Sequence, residues 1–141
     1  MPIQKLYINP TNVTPEVNFS PEENIFVIRG ISSPEDVRAL YNPVIEWVKK
    51  YIDALLKIRS NRYTLNSPLK FTIDLTYFNS STAKFLYDIF LELKRLIPSG
   101  IPFCIEWFFE EDDPDQKEAG ADISLLVGLE FTYVEKKNIK L

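Results

Sequence analysis

Residues 70–97 read KFTIDLTYFNSSTAKFLYDIFLELKRLI, and the hydrophobic period changes partway through them. Phe71, Ile73, Leu75 and Tyr77 alternate with Thr72, Asp74 and Thr76, the period-two pattern of a strand with one buried face. From Ala83 onward, Leu86, Ile89, Phe90, Leu93 and Ile97 recur at helical spacing, the stripe of an amphipathic helix over 80–97. Between the two, Asn79, Ser80, Ser81 and Thr82 form a polar junction where a strand passes directly into a helix.

That junction has chemistry of its own. The first amides of a helix lack intrahelical acceptors, and the aligned peptide dipoles leave partial positive charge there. An anion such as phosphate is stabilised at such a point, so a hydroxyl there is well placed to carry a covalent phosphate. Asn and Ser are also favoured helix caps. Asn79 and Ser80 can therefore serve as caps, as functional groups, or as both.

Working outward, 5–9 reads as a short strand stopped by Pro10, and 16–19 and 24–29 flank a short loop as an antiparallel hairpin. Ser33-Pro34-Glu35-Asp36 reads as a helix start capped by Ser33. Pro43 lacks an amide donor and disfavours helical geometry at Asn42, which gives helices at 34–41 and 43–58 or one kinked helix. Val44, Val48, Tyr51, Ile52 and Leu55 form its buried stripe, with Trp47 packing at the edge, and 59–68 is a polar loop. Downstream, Pro98-Ser99-Gly100 ends the central helix. The nearly continuous apolar run 101–109 reads as a strand covered on both faces. Glu110, Glu111, Asp112 and Asp113 follow as an acidic run, and Asp113-Pro114 opens a helix over 114–127. A last strand covers 129–135, and the charged residues from Glu135 to Lys140 form a frayed tail.

This order predicts an α/β (α+β) fold in a single domain. A mixed sheet would carry an N-terminal antiparallel hairpin and parallel βαβ units in its second half, with helices packed against it. If 70–78 and 101–109 are parallel neighbours, their carboxyl ends share the sheet edge where ligands gather in open α/β sheets. Ser80 then lies near the acidic run. On the central helix, Lys84, Tyr87, Leu91 and Arg95 fall opposite Leu86, and the first three form a candidate contact patch.

Composition closes many routes to catalysis. The 141 residues contain no histidine, so Ser-His-Asp and Cys-His sets and multi-His zinc sites cannot be built. No GxGxxG or GxxxxGK[ST] run is available to cradle a nucleotide. The net charge of −4 argues against nucleic-acid binding. No run is long enough to insert in a membrane, and the first ten residues lack a secretory pattern. Cys104 alone cannot form an internal disulfide, which fits a cytoplasmic protein, and it reads as a core residue. The expectation is a protein with no catalytic residues, metal or cofactor. Two alternatives stand beside it: a small carboxylate- or metal-dependent enzyme using Asp74 and residues 110–113, or a constitutive interaction domain.

The segment LTYFNSSTAKFLYDIF resembles the YxNTSSxK core of the SiaC family of bacterial regulatory phosphoproteins. Gly30 to Asp36 is similar to that family's GxSxPE segment, Pro43 to Trp47 to PVIxW, Ile105 to Phe109 to xWxY, and Glu118 to Gly120 to EAG. The resemblance implies a fold like the STAS domains of anti-sigma factor antagonists. It implies a non-catalytic switch in a partner-switching module, modified by a Ser/Thr protein kinase and reset by a PP2C-like phosphatase. The unmodified form would bind a target, a diguanylate cyclase in characterised members, linking it to cyclic di-GMP and biofilm control. The family's phosphorylated threonine falls on Ser80, with NSST here in place of NTSS, and Ser81 and Thr82 are the alternative acceptors. Candidate partner-binding residues are Asn79, Lys84, Tyr87, Leu91, Glu110, Glu111, Asp112 and Asp113.

Overall fold

Among the described residues, three strands precede the first α-helix, and thereafter strand and α-helix alternate as far as Lys136. The structure, a computed structural model, describes residues 3–58 and 61–137. Arg59 and Ser60 of the polar loop, and the tail beyond Lys137, lie outside the described residues. Strands β1 (Leu6–Ile8), β2 (Glu16–Ser20) and β3 (Ile25–Ser32) pair antiparallel as a meander. Helix α1 (Val37–Lys57), β4 (Leu69–Phe78), α2 (Ser80–Lys94), β5 (Phe103–Glu110), α3 (Pro114–Val127) and β6 (Thr132–Lys136) follow. Strands β3 to β6 are parallel, and the order across the six-stranded sheet is the order along the chain. This is the mixed α/β sheet in a single domain that the alternation predicts.

Parallel strands laid down in sequence by right-handed crossovers put all their helices on one face of the sheet. The core lies between: Phe19, Phe26, Ile28, Phe71, Ile73, Leu75, Ile105 and Trp107 of the sheet pack against Tyr41, Val48, Ile52, Leu86, Ile89 and Phe90. Among the described residues, the other face carries no helix. Strand β5 is therefore not covered on both sides as its apolar run suggests, and Cys104, Glu106 and Phe108 are half-exposed there. Cys104 is no core residue, although partial burial still pushes its thiol pKa up.

Three local expectations are corrected. First, of the two readings around Pro43 the single helix holds, Val37–Lys57 with Pro43 inside it, but it starts later than residue 34 and its cap is Asp36 rather than Ser33. The amide of Ser33 donates to the Val13 carbonyl at 2.7 Å, tying Ser33 to the loop before β2, and the chain bends at Glu35 and Asp36 before the helix begins. The Asp36 carboxylate then accepts from Ala39 N at 3.1 Å. Second, α2 stops at Lys94, and a separate 3-10 turn spans Ile97–Ser99 ahead of Gly100 at φ +67. The last turn tightens first: Arg95 N and Leu96 N bond three residues back, to Glu92 O at 3.1 Å and Leu93 O at 3.0 Å, and Pro98 has no amide to continue the ladder. Third, the last strand begins at Thr132 because Gly128, at φ +72, turns the chain and Leu129 N bonds back to Ser124 O. The strand's far end runs to Lys136, expected in the frayed tail, which instead pairs with Glu110, one residue beyond the pair of Glu135 with Phe109. Among the described residues, no helix is long and apolar enough to cross a membrane.

Candidate functional site

The end of β4 is re-aimed just before the polar junction. Register with β3 runs Gly30↔Leu75 and then Ile31↔Tyr77, so Thr76 is an extra residue and the strand bulges there. The Thr76 hydroxyl donates to the Gly30 carbonyl at 3.2 Å. A bulge reverses which residues face the core. Tyr77, assigned to the buried side by alternation, points out and is 53% exposed, while Phe78 turns in to meet Trp107 edge-on at 5.7 Å.

Asn79 then caps α2. Its backbone is extended, and its side-chain oxygen accepts from Thr82 N at 2.9 Å and from the Ser81 hydroxyl at 3.0 Å. The three hydroxyls that follow have different fates. Ser80 is exposed, and its hydroxyl has no hydrogen-bond partner among the described residues. Ser81 is exposed but engaged with the cap. Thr82 is fully buried, with its hydroxyl 2.8 Å from Ser32 Oγ and 3.2 Å from the Ser32 carbonyl. Thr82 is therefore closed to an enzyme in this conformation, unlike the two serines before it.

Beyond Thr82 the network continues to Tyr41 of α1, whose hydroxyl is 2.8 Å from Ser32 Oγ. Burial pushes the Tyr41 hydroxyl up to about 12, against a smaller opposing effect of its hydrogen bonding with Ser32 and Thr82.

Ser80 opens onto a cleft of about 460 Å³ between the end of β4 and the start of α3. Thr76, Tyr77, Phe78 and Asn79 line one side, and Asp113, Asp115, Gln116 and Ala119 the other. The acidic run does not act as one block. Glu110 turns to the helix-free face, 3.5 Å from Lys136 Nζ. Glu111 donates its amide to the Lys136 carbonyl, Asp112 is exposed, and Asp113 caps α3 by accepting from Gln116 N at 3.2 Å. Of the four, Asp113 alone lines the Ser80 cleft, joined there by Asp115, which pattern reading passed over.

The carboxylates named for a metal-dependent enzyme are not brought together. Asp74 lies on the helix-free face, 3.6 Å from Arg29 and 3.0 Å from Lys136, within a chain of charges that runs Glu16, Arg29, Asp74, Lys136, Glu110. Among the described residues, no group of three or more His, Cys, Asp or Glu side chains is placed to hold a metal ion.

Next to the cleft, α2 and α3 frame an apolar groove of about 280 Å³ lined by Ala83, Lys84, Tyr87, Ile123 and Leu126. Leu126 is 73% exposed. Lys84 pairs with Asp88 one turn on, at 3.2 Å, and Tyr87 is half-buried against the core. Leu91, also exposed, lies outside the groove. The residues that pattern reading missed are Ser32, Tyr41, Asp115 and Gln116. Ser32 and Gln116 are polar side chains set into buried positions by pairing partners far away in the chain. Their nearest sequence signals were the GxSxPE match and the helix start at Pro114.

Fold and site together describe a small mixed-sheet α/β domain that displays a free hydroxyl at a strand–helix junction. The chain belongs to the SiaC family of regulatory phosphoproteins, whose profile matches residues 8–136. An uncharacterized protein of Pseudomonas aeruginosa is 26% identical to it over 105 residues, 74% of this chain and 75% of that protein. The crystal structure of apo-SiaC from Pseudomonas aeruginosa superposes with a TM-score of 0.73 at 22% identity, over 94% of this chain and 98% of that one. In the crystal structure of the diguanylate cyclase SiaD with its activator SiaC, from the same organism, the matched chain superposes with a TM-score of 0.75. That match is also 22% identical and covers 94% of this chain and 99% of the other.

Proposed function

We propose that this chain is a non-catalytic, cytoplasmic switch protein whose binding state is set by phosphate on Ser80. The observation that carries this is the contrast among three consecutive hydroxyls: Ser80 exposed and unengaged, Ser81 tied to the cap, Thr82 enclosed. A phosphoserine adds about −1.5 to −2 charges. The start of α2 attracts that charge, and Asp113 and Asp115 across the cleft repel it. Modification thus changes the field and the surface beside the α2–α3 groove without refolding the domain.

A Ser/Thr kinase would add the phosphate and a PP2C-like phosphatase remove it. The unmodified form would bind its target through Asn79, Tyr77 and the groove residues Lys84 and Tyr87. Family membership and the solved SiaC–SiaD complex support a diguanylate cyclase as the class of target.

The test is phosphopeptide mapping after reaction with a Ser/Thr kinase encoded nearby, followed by pull-downs with Ser80→Ala and Ser80→Asp. Phosphate should map to Ser80, and the two variants should retain different partners. Equal uptake of phosphate by Ser80→Ala would remove the site assignment. Identical partner sets would favour a constitutive interaction domain.

A further inference from the structure

The Ser32 carbonyl is bonded on both sides of Ser80: the Asn79 amide donates to it at 3.1 Å and the Thr82 hydroxyl at 3.2 Å. One oxygen at the end of β3 thus holds the residue before Ser80 and the first buried side chain after it. The hydroxyls behind it form a chain with a single assignment that uses every proton. Tyr41 O–H donates to Ser32 Oγ, Ser32 O–H to Thr82 Oγ1, and Thr82 O–H to the Ser32 carbonyl. All three side chains are fully buried.

Stability does not call for polar atoms here. Replacing both partners of a buried hydrogen bond by apolar groups of the same shape is close to neutral, and the Tyr41 ring already stacks on Phe85 at 5.7 Å. What the hydroxyls add is direction. They fix the height and rotation of α2's first turn relative to β3 and α1, which packing among apolar side chains leaves free to slide.

We propose that Ser32, Tyr41 and Thr82 are positioning residues. Their hydroxyl chain holds the Asn79–Ser81 turn in the one geometry that offers Ser80 Oγ to a modifying enzyme, and it makes that geometry depend on α1. The inference rests on Ser80 being the modified residue, but its first test does not.

Amide hydrogen exchange is measured on the unmodified full chain for Tyr41→Phe, Thr82→Val and Thr82→Ser. Tyr41→Phe removes one oxygen and keeps the Phe85 stack, so it stays folded even if Thr82→Val does not. In Tyr41→Phe and Thr82→Val, exchange of the amides over 80–83 should quicken roughly three- to tenfold relative to the sheet amides, the worth of one buried hydrogen bond. Thr82→Ser should match wild type. With the kinase that modifies the wild-type chain, kcat/KM for phosphate transfer should fall in the same two variants and be restored in Thr82→Ser. Unchanged exchange in both variants overturns the proposal. Faster exchange with undiminished kcat/KM also overturns it, because the geometry then does not matter to Ser80. If Ser80→Ala still accepts phosphate, the site assignment fails separately, and the exchange result stands on its own.

Discussion

Gly120 sits so close to the indole of Trp107 that a β-carbon there would lie 2.6 Å from ring atoms Cε2 and Nε1. The indole cannot retreat. Its N–H donates to the Gln116 carbonyl at 2.9 Å, and it stacks on Phe131 with centroids 5.8 Å apart. Gln116 Nε2 in turn donates to the Leu75 carbonyl at 2.7 Å, so the start of α3 is fastened to two strands beside the Ser80 cleft. Gly120→Ala should therefore destabilise the domain by roughly 1–3 kcal/mol, as overpacked cores do. At about 4 °C per kcal/mol for a chain this size, thermal denaturation resolves the loss. Combined with Trp107→Phe, it should cost less than the sum of the two changes, since the smaller ring yields the space.

Pro43 stands at the seventh position of α1, exposed, where its nitrogen has no hydrogen for the Ala39 carbonyl. An interior proline costs about 3 kcal/mol relative to alanine, partly offset because it also restricts the unfolded chain. Pro43→Ala is expected to stabilise by on the order of 2 kcal/mol, read as a higher denaturant midpoint with an unchanged slope. A neutral or lower midpoint would mean that the proline sets an angle the packing of α1 requires.

The parts of this molecule that follow from local pattern were legible in the sequence. The change of period at Asn79, the Asp113-Pro114 helix start and the stripe Val44, Val48, Tyr51, Ile52, Leu55 all reappear as buried faces and caps. What escaped depends on partners distant in the chain. Tyr77 lies outside because β4 bulges against Gly30, and no window around Tyr77 contains Gly30. The link from Thr82 to Ser32 spans 50 residues. The acidic run reads as one feature, but a strand end divides it, sending Glu110 to one face of the sheet and Asp113 to another edge. The helix-free face was misjudged because an apolar strand suits two buried sides as well as one.

Alkaline pH should weaken the fold through its buried tyrosines. The fold holds the Tyr41 proton to about 12, while the unfolded chain releases it near 10. The contribution is whole below pH 10 and is lost as pH rises toward 12. Burial raises Tyr51 and Tyr63 as well, so they act in the same direction. Unfolding free energy measured over this range should fall steadily, and in Tyr41→Phe the fall should be smaller by about 2–3 kcal/mol. Parallel curves for the two proteins would show that Tyr41 titrates normally and is less enclosed than its hydrogen bonds imply.

Whether the acidic edge senses charge at Ser80 can be measured without any kinase. Ser80→Asp places a carboxylate at the start of α2, where the dipole stabilises it by about 0.3–1 kcal/mol. Asp113 and Asp115 face the same cleft and oppose it, so alone the change should be nearly neutral. Asp113→Asn keeps the α3 cap, because asparagine caps as well as aspartate, and removes one opposing charge; Asp113→Ala also loses the cap, about 1 kcal/mol. In the Asp113→Asn background, Ser80→Asp should become stabilising, with a coupling of roughly 0.5 kcal/mol. Raising salt to about 1 M, where the screening length is about 3 Å, should abolish most of it. Additive effects at low salt would mean that the two sides of the cleft do not interact. Phosphate at Ser80 would then have to act through direct contact with a partner and not through the domain's own field.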